Sequence, residues 1–210
     1  MTIHNHQVLS VRPDPRVVRT EAAIKHALLE QLAAGCHFSA LTVSEISLAA
    51  GVTRKTFYAR FGSPEQVVER IVTDLFDEII RTIDDDMLRL PLLDNSLAMM
   101  VFRAYDEHQG VLAPLVRYCP VNLFVGPVST IAGQLLERAI KVNKAPPMDE
   151  ARQAYLVATI ASIVHGVVSV WVKRDFLNRR SRLRVSLMNC LLMEYKESFY
   201  RQRKGGLPGD

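Results

Sequence analysis

Apolar residues recur three and four apart along almost the whole chain, and strand-like alternation is nearly absent. Ile24, Leu28 and Leu32 repeat every four residues, with Ala23 and Ala27 beside them. Val67, Val68, Ile71, Val72, Leu75, Phe76, Ile79, Ile80 and Ile83 trace a wider stripe, wide enough for two partners. This spacing predicts an all-α fold of about nine helices and no sheet. The 210 residues suffice for a real core, as one large domain or two small ones. With 49% hydrophobic and 23% charged residues, disorder is expected only at the ends.

The punctuation sets the expected boundaries. Residues 1–15, polar and holding Pro13 and Pro15, read as a flexible arm. A first helix is expected over 16–34, stopped by Gly35, with Phe38 and Leu41 plugging a small three-helix unit. Ser63 as N-cap and Pro64 at the first helical position start a long helix over 64–89. Further helices are expected over 95–109 and 110–119, the latter short and bounded by Pro114 and Pro120. Another follows over 122–143, with an irregular start at Gly126-Pro127. Asp149 caps one running to about 176, and a last spans 179–203. Residues 204–210, Gly- and Pro-rich, read as a disordered tail. The domains are thus a small helical unit over 16–63 and a larger helical domain over 64–203.

Residues 42–61 carry the most specific information. Thr42 and Glu45 stand at capping-box spacing, Val43, Ile46 and Ala50 supply a buried face, and Gly51 permits a turn with positive φ. After Val52, Thr53 can cap a second helix that Phe57 and Phe61 anchor to the core. Its other side holds Thr53, Arg54, Lys55, Thr56, Tyr58 and Arg60. A short helix with a basic, hydroxyl-rich face on an apolar support fits a DNA major groove. Residues 1–63 carry seven Lys/Arg against four acids, and the whole chain has a net charge of +4. Both agree with a nucleic-acid partner without requiring one.

The run Thr42-Val43-Ser44-Glu45-Ile46-Ser47-Leu48-Ala49-Ala50-Gly51-Val52-Thr53-Arg54-Lys55-Thr56-Phe57-Tyr58-Ala59-Arg60-Phe61 resembles the N-terminal domain of TetR-type (TetR/AcrR) transcriptional regulators. The Thr-Phe-Tyr-x-x-Phe ending distinguishes it from helix-turn-helix units in general. Two positions depart from the family pattern. Ser47 replaces the usual small Ala, and its hydroxyl needs a partner. Pro64 replaces a Lys, removing a cation and an N–H donor from the phosphate clamp, although amides near Glu65 and Gln66 remain. Reach and chemistry, reinforced by the resemblance, assign Arg54, Lys55 and Thr56 to base edges. Thr42, Ser44, Thr53, Tyr58 and Arg60 are assigned to phosphates, with Arg16 and Arg19 toward flanking DNA.

The resemblance implies a homodimer on a palindromic operator, most simply a repressor released by a small molecule. The alternatives are control by a protein partner, or action as an activator without a small-molecule effector. The expected dimer face comprises Leu156, Ile160, Ile163 and Val167 on the penultimate helix. Met188, Leu191, Leu192, Tyr195 and Phe199 complete it on the last. Candidate effector contacts are Phe102, Arg103, Tyr105, His108, Arg117, Tyr118, His165 and Trp171.

No enzymatic constellation, phosphate loop, metal-ligand spacing or cofactor motif is found. Consecutive Asp84, Asp85 and Asp86 point about 100° apart on a helix, too divergent for one cation, and read as a solvated helix end. His4 and His6 belong to the arm. Cys36, Cys119 and Cys190, three and far apart, read as reduced thiols. No uninterrupted run of roughly 18 apolar residues suggests a membrane span. The N-terminus lacks a charged-then-apolar leader pattern, so a cytoplasmic protein is expected.

Overall fold

The computed structural model describes residues 14–89, 103–104 and 106–174. Among them are seven α-helices, two 3-10 turns and no strand. Expectations for the arm over 1–13, most of the helix over 95–109, the helix over 179–203 and the tail lie outside the described residues. So do those for Phe102, Tyr105, Met188, Leu191, Leu192, Tyr195 and Phe199.

Helix α1 (Pro15–Ala33) begins one residue before the expected start because Asp14 accepts the Arg16 amide at 2.8 Å. It ends as Gly35 turns left-handed at φ 93°. Its buried face is Ile24, Ala27, Leu28 and Leu32. Phe38 and Leu41 close the core behind it, as their positions predict. Helices α2 (Val43–Ala49) and α3 (Arg54–Tyr58) form the expected pair around Gly51, at φ 66°.

Helix α4 (Pro64–Arg81) buries Val67, Val68, Ile71, Val72, Leu75, Phe76 and Ile79. It stops eight residues before the expected end. The apolar spacing continues through Ile83 and Leu88, which misled the reading, but hydrogen bonding breaks the helix. Thr82 donates its hydroxyl to the Ile79 carbonyl at 2.6 Å. Asp84 then caps a separate 3-10 turn, Asp85–Leu88. The three aspartates are therefore not a solvated end of α4.

Helix α5 (Gln109–Tyr118) holds Pro114 inside rather than at a boundary, and α6 (Asn122–Val142) likewise runs straight through Gly126-Pro127. Each proline forfeits one intrahelical bond. Burial keeps the helices intact: Leu112, Pro114 and Leu115 in α5, and Leu123, Phe124, Val128 and Ile131 in α6. Helix α7 (Glu150–Lys173) begins at Asp149, whose carboxylate accepts the Arg152 amide at 3.0 Å. By length and composition alone α7 could cross a membrane, with a mean hydropathy of 1.9 over its most apolar 18 residues. In the fold it is a body helix, packed along α5 and α6.

Helix α4 contacts α1 on one side and α6 on another, the two-sided use its wide stripe predicts. Helix α1 also packs on α5. One continuous core therefore runs from Ile24, Phe57 and Phe61 through α4 to Val168 and Trp171.

Candidate nucleic-acid interface

The capping box at the start of α2 is complete. The Thr42 hydroxyl accepts the Glu45 amide at 3.2 Å, and the Glu45 carboxylate accepts the Thr42 amide at 3.0 Å. The Thr42 hydroxyl also donates to that carboxylate at 2.7 Å. Its single proton is thus committed inside the cap, where it orients α2. Ser44 remains exposed on the first turn of α2.

Helix α3 is held on three counts. Thr53 caps it, accepting the Thr56 amide at 3.1 Å, and the Thr53 and Thr56 hydroxyls meet at 2.9 Å. Phe57, with no exposed surface, and the buried Phe61 insert beneath it, their rings 6.2 Å apart. Tyr58 leans edge-on against Phe57 at 5.7 Å while leaving 52% of its surface open. Arg54, Lys55 and Arg60 are exposed, and their side chains form no hydrogen bond or ion pair among the described residues. Three unpartnered cations, two hydroxyls and a tyrosine therefore project from a rigidly seated helix. Arg16 and Arg19 are exposed on α1.

Ser47 lies where α2 meets its neighbours, 2% exposed, and its hydroxyl has no hydrogen-bond partner among the described residues. The small side chain meets the steric need, but its polar atom is left unsatisfied. Ser47→Ala is therefore expected to stabilise the protein by about 1 kcal/mol, read as a higher urea midpoint at unchanged m-value. A lower midpoint would mean that the hydroxyl is bonded in solution.

At the start of α4, Ser63 occupies the N-cap, yet its hydroxyl makes no capping bond. Gln66 reaches back instead and accepts the Gly62 amide at 2.8 Å. Ser63 and Gln66 stand at capping-box spacing, a signal that sequence reading missed, but the amide held is that of Gly62 and not that of Ser63. Lys25 of α1 and Asp74 of α4 form an ion pair at 2.7 Å, and Arg70 joins it at 2.9 Å, which ties the reading unit to the long helix.

The candidate effector residues occupy varied settings. Arg103 is exposed, and His108 sits at the N-cap of α5 without a side-chain capping bond. Tyr118 packs edge-on against His37 at 5.4 Å, where the end of α1 meets α5. The neighbouring Arg117 donates to the Val172 carbonyl at 2.8 Å. Trp171 is buried in the core.

His165 lies 5.5 Å from the Phe124 ring, which in turn meets Phe76 of α4 at 5.7 Å. It also contacts the Ser169 hydroxyl at 3.3 Å. Burial, and then the charge of Lys173, hold its pKa below the usual value, favouring neutral imidazole. Phe124 and His37 were not singled out from sequence, and Phe76 only as part of the apolar stripe of α4. Phe124 lay just before the Gly126-Pro127 pair, where no helical face could be assigned. Burial pushes the Cys119 thiol up to about 12, making it the inert hydrophobe expected.

Residues 30–71 match the family described as TetR_N, bacterial regulatory proteins, tetR family. An uncharacterized HTH-type transcriptional regulator, YxbF of Bacillus subtilis (strain 168), is 33% identical over 67 residues, which is 32% of this chain. The match spans only 18% of that relative's length. Two solved structures share the fold. The dihydroxyacetone kinase operon activator DhaS has a TM-score of 0.51 at 18% identity, with 86% of this chain and 98% of that one covered. NalD, the secondary repressor of the MexAB-OprM multidrug efflux pump in Pseudomonas aeruginosa, has 0.51 at 19%, with 85% and 96% covered.

Proposed function

We propose that this chain, whose residues 30–71 match the tetR family of bacterial regulatory proteins, is a homodimeric, ligand-responsive repressor of a palindromic operator. The observation that carries this reading is the exposed, unpartnered set of Arg54, Lys55 and Arg60 around the core-anchored α3. Arg54, Lys55 and Thr56 read base edges. Thr53, Tyr58, Arg60, Ser44 and the Thr42 cap set the helix on the phosphates.

Pairing of two copies follows from the size of one reading unit, which grips only one half-site. Helix α7 supports it. Leu156, Ile160, Ile163 and Val167 are only half-buried, Val170 is 52% exposed, and the exposed Ala158, Ser162 and Gly166 permit close approach of another helix. The last helix, with Met188, Leu191, Leu192, Tyr195 and Phe199, completes the bundle in this reading. The effector enters the larger domain among Phe102, Arg103, Tyr105, His108, Tyr118, His165 and Trp171. It acts through α4, which contacts both α1 and α6. A ligand that prefers the wrong separation of recognition helices lowers DNA affinity by linkage. NalD is a repressor and DhaS an activator, so the fold serves both signs.

The test is a duplex selected by the protein from a random pool. Footprinting is expected to protect two inverted half-sites about 34 Å apart, with two chains per duplex by sedimentation. One chain on one half-site would sink the dimeric reading.

A further inference from the structure

We propose that Arg138 and Asn143 of α6 are positioning residues that pin the far end of α4 and so set the separation of the two recognition helices. The inference rests on the dimeric reading above and adds to it the fixed point of the lever. Arg138 donates from Nε to the Asp85 carboxylate at 2.5 Å and from Nη2 to the Ile83 carbonyl at 2.6 Å. Asn143 donates from Nδ2 to the Leu88 carbonyl at 2.8 Å, while also bonding the Ala139 carbonyl of its own helix. These bonds reach across more than fifty residues of sequence and hold the short turn that follows α4.

Apolar packing marks the same place. Ile83, Leu88 and Ala139 form a small core of their own, separate from the main one, with Ile80, Met87 and Leu135 around it. Between this core and α4 the helix is interrupted at 82–84, where Thr82 turns back on Ile79 and Asp84 caps the next turn. A helix break with one side clasped is the form of a hinge. Past the middle of α4, the Lys25–Asp74 pair ties that helix to α1 of the reading unit.

The geometry makes the clasp consequential. Eighteen residues give α4 a length of about 27 Å. A tilt of about 10° at the clasp therefore displaces the other end by about 5 Å, more than one base-pair step along DNA. A planar guanidinium that engages a carboxylate and a carbonyl at once resists such tilting better than one bond would. Helix α6 itself carries Phe124, which meets His165 of α7, so an event in the body reaches the clasp along one helix.

The experiment measures binding to a series of duplexes that carry the selected half-sites at the selected spacing and at one base pair more or less. Wild-type protein is expected to prefer one spacing. Arg138→Ala is expected to flatten that preference on the order of fivefold, and Asn143→Ala in the same direction. Arg138→Lys, which keeps a cation for Asp85 but not the fork, should fall between. Thermal melts of each variant identify any that fail to fold, and the lysine variant preserves most of the packing. An unchanged spacing profile in folded Arg138→Ala overturns the proposal. So does an equal loss of affinity at every spacing, which a merely structural role would give. Wild-type protein that binds a single half-site as tightly as a pair overturns the dimeric reading itself, and this inference with it.

Discussion

Replacing Arg54 and Lys55 together by alanine is expected to weaken binding to the selected duplex on the order of 100-fold, with the fold intact. Each side chain is exposed and unpartnered, so its removal takes nothing from the core. Each well-placed contact to a guanine edge carries about 1–3 kcal/mol of discrimination. The ratio of selected to random duplex binding should therefore collapse at fixed salt. Fluorescence anisotropy reads that ratio directly. A double variant that keeps it would remove these residues from the reading face and pass the role to Thr56, Tyr58 or Arg60.

Phe57→Ala is expected to produce the largest loss of stability of any single change in the reading unit, about 3–5 kcal/mol. The ring is wholly buried, supports Tyr58 edge-on, and packs with Phe61. Its removal opens a cavity beneath a helix of five residues that has no length to hold itself. Denaturation in urea measures the cost. DNA affinity should fall as well, because the exposed cations depend on that seat. A loss below about 1 kcal/mol would mean that the neighbouring side chains collapse into the space.

What could be read from the sequence was local. The Thr42–Glu45 box, the left-handed Gly35 and Gly51, and the Asp149 cap are decided within four residues, and each is present. The buried Phe57 and Phe61 follow from spacing on one short helix. The body was harder for a physical reason. Pro114 and Pro127 look like breaks, yet burial on both sides of each outweighs one lost hydrogen bond. The end of α4 was overrun because Ile83 and Leu88 keep the apolar rhythm after the helix has stopped. Asp85 is exposed, as expected, but its ion pair went unseen because Arg138 lies 53 residues away. Local patterns report caps and turns; only the folded chain reports which distant group answers them. Thr42 shows the limit within the reading unit. Residue type suggests a phosphate donor, while the hydroxyl proton is already held by Glu45.

The meeting of α1 with α5 restricts how this architecture can be recombined. The His37 ring leans on Tyr118, and Gly35, two residues earlier, turns left-handed at φ 93° to place it there. The reading unit is therefore cut to fit its own body, not carried as an interchangeable cartridge. Moving it onto another regulator's body would require residues 35–37 to be recut together with whatever stands in place of Tyr118. New DNA specificity is easier to acquire by changing the exposed face of α3, which touches no part of that seam, than by exchanging the whole unit.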